Sequence, residues 1–430
     1  MNARTRLAAL LAGAALFFAA CQAKDEEPAE TVFTSLLKLT AADPADYDSF
    51  GLSLALDGDY ALVGAPGYNG SGDNRGAAYL FLRNQGGADA WGLVKKLVPD
   101  DPADKDMFGI SVAVSGDTVI IGASGADGGG IDEGAAYIFS RDRGGAGNWG
   151  QVKRIAASDA DDGDGFGFAV AIDGATAVVG ADGADGGGVN RGAAYVFYRD
   201  QGGAGNWGQV ARLVSRDPAD GNQFGFAVDV AGDLAVVGSP GENGAGVKRG
   251  VAYIFSRDMN GADAWGLVKA FSPGDASDRA WLGTAVATDG VRAVVGSAWD
   301  DGGGTDRGSA HVLGPDGLGT WREIKKLVAS DGRDNDLFGY AVAIEGDFVV
   351  AGAGWARGGG AERGQAYLFV RNEGGADNWG EAQRLRADGG RNEDWFGAAV
   401  ALDGSHLLVG ATGDDGAGRD RGAAFLFRKR

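Results

Sequence analysis

The stretch Phe166–Arg199 reads FGFAVAIDGATAVVGADGADGGGVNRGAAYVFYR, and nearly the whole chain says it again. Its opening Phe-Gly, or the nearest equivalent, recurs at Phe50, Phe108, Phe166, Phe224, Leu282, Phe338 and Phe396, at intervals of 58 residues save one of 56. Seven copies at such a period point to a propeller, solenoid or array before any residue is considered singly.

Inside the unit the side-chain period is two. Phe166, Phe168, Val170 and Ile172 share one parity and Gly167, Ala169 and Ala171 the other, giving a strand with a bulky face and a small face, expected to be buried on both. Asp173-Gly174 then supplies a tight turn, and Ala177-Val178-Val179-Gly180 returns antiparallel. The turn recurs as Asp57-Gly58, Ser115-Gly116, Ala231-Gly232, Asp289-Gly290, Glu345-Gly346 and Asp403-Gly404. A Gly- and Asp-rich loop follows, then a third strand over Ala193 to Arg199, a GGAGNWG loop, and a fourth strand over Val210 to Leu213. Four antiparallel strands per unit, seven units and no helical period predict an all-β fold, a seven-bladed β-propeller.

The ends of the chain bear on closure. The last copy stops after its third strand, RGAAFLFRKR, while Thr34–Leu39, TSLLKL, matches the fourth strands QVKRI, QVARL and EIKKL. Leu37–Leu39 is therefore expected to pair with Ala423–Phe427 and complete the seventh blade, leaving no exposed ends in the ring. The aromatics that recur once per blade are read as packing. These are Tyr79, Tyr137, Tyr195, Tyr253 and Tyr367 on third strands, and Trp91, Trp149, Trp207, Trp265, Trp321 and Trp379 at the start of fourth strands.

Ahead of the repeats, residues 1–20 have a basic start (Arg4, Arg6) and an apolar run, the pattern of a signal peptide. Cys21, the one cysteine, follows Phe18-Ala19-Ala20 and resembles the lipidated cysteine of a bacterial lipoprotein signal. Residues 21–31 read as an acidic tether, and 32–430 as the propeller domain. The formal net charge of −20 disfavours nucleic-acid phosphates and anionic lipid headgroups. Contact with a membrane is then expected only through the lipid anchor, on a monomer in the bacterial cell envelope or outside it.

With FG opening the first strand and VGAP (Val63–Pro66) ending the second, the repeats resemble the FG-GAP repeats of the integrin alpha-chain propeller and its bacterial relatives, over residues 32–430. The resemblance implies extracellular binding or adhesion and no catalysis. Integrin repeats hold calcium in a long acidic loop between first and second strands. That loop is here a two-residue turn, so those calcium sites do not carry over. No cofactor is assigned. Calcium remains open only through other acidic loops, such as Asp100–Asp106, Asp159–Asp164, Asp182–Gly188 and Asp331–Asp336. The competing reading of the Asp two residues before Phe-Gly (Asp48, Asp106, Asp164, Asp336, Asp394) is a loop cap, or a partner for the Arg preceding Gly-Ala-Ala (Arg75, Arg191, Arg249, Arg421).

Residues present in every copy serve the fold, so function is sought where copies differ. Trp299 and Trp355 occupy one second-to-third-strand loop offset in blades five and six where other copies have Gly, and Tyr68 stands one place later in blade one. They are candidate ligand-binding residues, an aromatic platform for a glycan or protein partner. The alternative is tryptophan folded over its own Gly-rich loop. Glu133 replaces the usual Arg without an assigned role. The two histidines, His311 and His406, fall in strand patterns with no nucleophile or zinc motif beside them, so no catalytic residue is assigned. The reading is a non-enzymatic binding or adhesion module for a protein or glycan. The alternative is a polysaccharide hydrolase or lyase using an Asp pair on the acidic face.

Overall fold

A computed structural model describes residues 32–244, 246–357 and 361–430. The segments read as a signal peptide and a tether, with Cys21, lie outside the described residues. Within them the strands form seven four-stranded antiparallel sheets. Blade three is representative, with strands Ala169–Asp173, Thr176–Ala181, Ala193–Tyr198 and Gly208–Leu213 running from the central channel outward.

The ring closes as expected. Phe33–Leu39 pairs antiparallel with Ala423–Lys429, placing Leu37 opposite Leu426 and Leu39 opposite Ala424. The last blade therefore takes its outer strand from the start of the propeller and its inner three from the end.

The Phe-Gly pair acts at the junction between blades. Phe166 is fully buried, and its ring meets Tyr195 at 5.6 Å and Phe197 at 5.9 Å in its own blade. Its backbone N–H donates to the Glu133 carbonyl of the blade before, at 3.0 Å. Gly167 follows with φ of 92°, and a Cβ there would lie 2.1 Å from the Ala135 carbonyl oxygen, so no other residue fits the approach. Each such Phe–Tyr–Phe cluster contributes about 0.5–1.5 kcal/mol per ring pair beyond the area it buries.

The Asp-Gly turns do more than reverse the chain. Gly174 has the positive φ of 57° that the hairpin needs. The residue before the turn glycine also reaches sideways to the next blade: Asp173 Oδ2 accepts the Gly232 N–H at 2.7 Å, and Ser115 Oγ accepts that of Gly174 at 3.0 Å. Asp57 bonds Gly116, Glu345 bonds Gly404 and Asp403 bonds Gly58 in the same way. Blade four has Ala231 at this place. There Asp229 takes over, accepting the Thr288 N–H at 2.7 Å.

One expectation is corrected. The inner strands are only partly covered, whereas second strands such as Thr118–Ala123 are buried throughout, because the inner strands line the channel. Their Phe-Gly makes a single bridge to the preceding blade in all seven blades, and in all but the last it stands ahead of the regular strand.

Candidate functional site

The second-to-third-strand loops and the blade-to-blade loops lie against one another on one face of the ring. In five blades a glycine seals this seam. Gly67, Gly125, Gly183, Gly241 and Gly413 donate their N–H groups to Asp48, Asp106, Asp164, Asn222 and Asp394 at 3.1–3.2 Å. A Cβ at any of the five would lie within 2.2 Å of a carbonyl oxygen of the facing loop. At the same offset in blades five and six stand Trp299 and Trp355, for which the described backbone bonds include no such seal. In blade five the Ser297 hydroxyl still donates to the facing Ala280 carbonyl at 3.0 Å, as Ser239 does to Asn222 in blade four, so what is missing there is the backbone bond.

Along these two seams runs a continuous arc of rings. Trp281 meets Trp299 at 5.4 Å, Trp299 meets Tyr340 at 6.1 Å, Tyr340 meets Trp355 at 4.7 Å, and Trp355 stacks near Trp395 at 6.4 Å with planes 28° apart. All five side chains are half-buried, so each is packed on one side and open on another. Trp299 and Trp355 do not touch directly. Tyr340, two residues after Phe338 at the head of an inner strand, bridges them.

Trp281 and Trp395 immediately precede the Phe-Gly equivalents and have φ of 54° each. That left-handed conformation suits glycine, which blade three uses at this place as Gly165 with φ of 64°. The same conformation is held by Ser49, Met107, Gln223 and Leu337 in the other blades, with φ of 54–56°, so it belongs to the repeat, and only the indoles are particular to Trp281 and Trp395. The Lys248 ammonium lies 5.8 Å from the Trp281 ring and caps one end of the arc, while the Trp395 indole N–H reaches Glu362 at 3.4 Å.

Of the three residues singled out from sequence, the structure thus brings two into one surface and places the third elsewhere. Tyr68 lies under the Lys96 ammonium, 3.3 Å from the ring centroid, and its hydroxyl donates to Asp43 at 3.3 Å. It belongs to a local pocket with Arg75, Val98 and Pro102. Trp281, Tyr340 and Trp395 were missed, although a signal existed. Of ten tryptophans six sit at the fourth-strand offset, and the four left over are Trp281, Trp299, Trp355 and Trp395, all in the arc.

The acidic loops around this face have their own occupations. Asp48, Asp106, Asp164 and Asp336 are buried and cap their loops, each accepting the N–H of the residue three before it at 2.7–3.0 Å. Burial raises their pKa values. The Arg before Gly-Ala-Ala pairs instead with the Asp two places further upstream: Arg75 with Asp104, Arg191 with Asp220, Arg249 with Asp278 and Arg421 with Asp46, at 2.8–3.0 Å. Those arginines hold the exposed carboxyls below the usual range. Glu133, lacking the guanidinium, accepts the Gly129 N–H at 3.0 Å and leaves Asp162 without that partner. Among the described residues no group of three or more His, Cys, Asp or Glu is placed to hold a metal ion.

The histidines are core residues of blades five and seven. His311 is fully buried with Nδ1 2.9 Å from Glu323, and His406 is 2% exposed. The central channel, about 300 Å³, is walled by Val, Leu, Ile, Ala and Thr, with Asp229 as the one carboxylate among its described lining residues.

The FG-GAP repeat family model matches residues 33–81, 91–139, 149–197, 207–255, 265–313, 321–369 and 379–427. Each match opens at or beside the outer strand of one blade and ends in the third strand of the next, so the family's unit spans a blade junction. No curated protein matches the chain. Seven matched repeats, folded as seven blades closed by the N-terminal strand, place this chain in the FG-GAP repeat family as a β-propeller resembling the N-terminal domain of integrin alpha chains.

Proposed function

We propose that this chain is an exported, lipid-anchored binding module without enzymatic activity, and that its partner, a glycan or a protein, docks on the arc from Trp281 to Trp395. The FG-GAP propeller fold suggests a binding or adhesion-type module in general. The observation that carries the finer reading is that all four tryptophans outside the repeat positions join one half-buried surface. Large rigid rings supply contact area at little entropic cost, and such residues dominate interface energetics. Sugar rings and apolar side chains both stack on them.

The test replaces Trp299 and Trp355 together by Ala and screens the intact protein against a glycan array and against cell-envelope extract. Retained ligands should bind at least about tenfold more weakly to the variant. Equal binding of every ligand would remove the arc from the account. The anchor rests on the sequence around Cys21, and metabolic labelling with a fatty acid should mark the wild type but not Cys21→Ser. Equal labelling of both would end that part of the reading.

A further inference from the structure

One strand position carries a cation in six blades. The residue paired across the sheet with the third-strand aromatic is Lys96 opposite Tyr79, Arg154 opposite Tyr137, Arg212 opposite Tyr195, Lys326 opposite His311, Arg384 opposite Tyr367, and Lys38 opposite Phe425. Where the neighbouring loop offers a buried acid, this cation neutralises it. Lys326 lies 2.9 Å from Asp300, and Lys38 lies 2.7 Å from Asp414.

Blade four has the acid and lacks the cation. Glu242 stands at the offset of Asp300 and Asp414 and is 8% exposed, yet the residue opposite Tyr253 is Ala270. The space a lysine would fill is a cavity of about 470 Å³, lined by Glu242, Tyr253, Ala270 and Ser272 among others. Other changes accompany it. Ser215, where sister blades have Ala or Pro, donates to Glu242 Oε2 at 3.0 Å, and the Tyr253 hydroxyl donates to Oε1 at 2.7 Å. Asn222 replaces the capping Asp of most blades, so the buried cap of this loop carries no charge. Ser272 Oγ is buried at the cavity without a hydrogen-bond partner.

We propose that this cavity binds a primary ammonium group, seated where the absent lysine ammonium would lie, against the Glu242 carboxylate and the face of Tyr253. Sister blades show both contacts at work: Lys96 lies 5.8 Å from the Tyr79 ring and Lys38 lies 5.4 Å from the Phe425 ring. A hard metal cation needs several free oxygens at one point, whereas both Glu242 oxygens already accept hydrogen bonds and Asp217, the other carboxylate lining the cavity, is paired with Arg216 at 3.0 Å. Asp300 at 2.9 Å and Asp275 at 3.1 Å hold the Lys326 ammonium, and Glu242 and Asp217 stand at the same two offsets on the wall of this cavity. A buried carboxylate without a counter-charge is costly, so the cation that enters relieves it. Arg216 is the cation at the rim. Its guanidinium is turned to Asp217 at 3.0 Å and is largely exposed. No residue of the aromatic arc lines this cavity, so the two sites stand or fall separately.

The test titrates the full chain with n-butylammonium and with Nα-acetyl-lysine methylamide, following heat or chemical shift. Saturable binding by both is expected, and by neither once its amine is acetylated. Binding of the lysine derivative alone would assign the ammonium to a protein partner, and binding of both would admit free amines. Glu242→Gln should weaken binding roughly tenfold or more. Ala270→Lys, which copies the sister blades and so preserves the fold, should abolish binding and raise the melting temperature. Absence of saturable binding to wild type, affinity unchanged in Glu242→Gln, or binding that emerges only in Arg216→Ala would overturn the proposal. The last outcome would mean the chain's own Arg216 fills the space.

Discussion

Blades three and six are built from nearly the same sentence, yet at the centre of the seam on their loop face one has glycine and the other tryptophan. In blade three Gly183 lets the loop lie flat, with its N–H bonded to Asp164 at 3.2 Å. In blade six Trp355 takes that place, the bond is absent from the described set, and the indole stands between Tyr340 and Trp395. One arrangement satisfies the backbone and hides the junction. The other gives up a backbone hydrogen bond and leaves an apolar surface half open to water. Nothing in the packing of a propeller asks for the second, so the comparison separates what the ring needs from what the ring carries.

The exchange Gly183→Trp is the most severe test of that separation. A Cβ at this position would lie 2.2 Å from the Gly163 carbonyl oxygen, so the facing loop in blade three leaves no room there for a ring. The expected loss is more than about 3 kcal/mol of stability, read from chemical denaturation, because overpacking and a broken backbone bond add. A near-normal denaturation midpoint would show that any seam accepts tryptophan. The arc in blades five to seven would then lose its structural distinctness.

The fold was legible because period-two alternation, turn glycines and a fixed repeat length are consequences of local chain geometry. Even the closure could be read, since the outer strand absent after Ala423–Lys429 matches Phe33–Leu39. The site was legible only in part. Trp299 and Trp355 announced themselves by replacing glycine at one offset. Their neighbours Trp281, Tyr340 and Trp395 come from blade-to-blade loops and strand heads, and only the packing of adjacent blades brings them together. Tyr68, one place later in blade one, was singled out with them, but the side chain opposite decides, and there Lys96 covers it. The lateral bonds of the turn carboxylates also depend on the next blade, which a repeat read one copy at a time cannot display.

Asp229 extends the same contrast into the channel with a smaller expected effect. Its six counterparts on the inner strands are Ala55, Ala113, Ala171, Ala287, Ala343 and Ala401, so one acid stands in a ring of methyl groups. Burial within the channel wall, aided by the negative charge of Asp173, pushes its pKa up to about 7. An unfolded chain would ionise the same carboxyl near pH 3.9. Between these values the folded protein holds a proton that the unfolded chain has lost, so stability falls as pH rises through the window and stays reduced above it. Asp229→Asn keeps an oxygen for the Thr288 N–H, now 2.7 Å from the carboxylate, and removes the charge. The variant should be more stable than wild type by about 1–3 kcal/mol at pH 8, with the gap closing toward pH 4. A gap that does not depend on pH would mean the acid is not held against its own ionisation. Asp229 would then count, like Ser115, as one more side chain stapling its blade to the next.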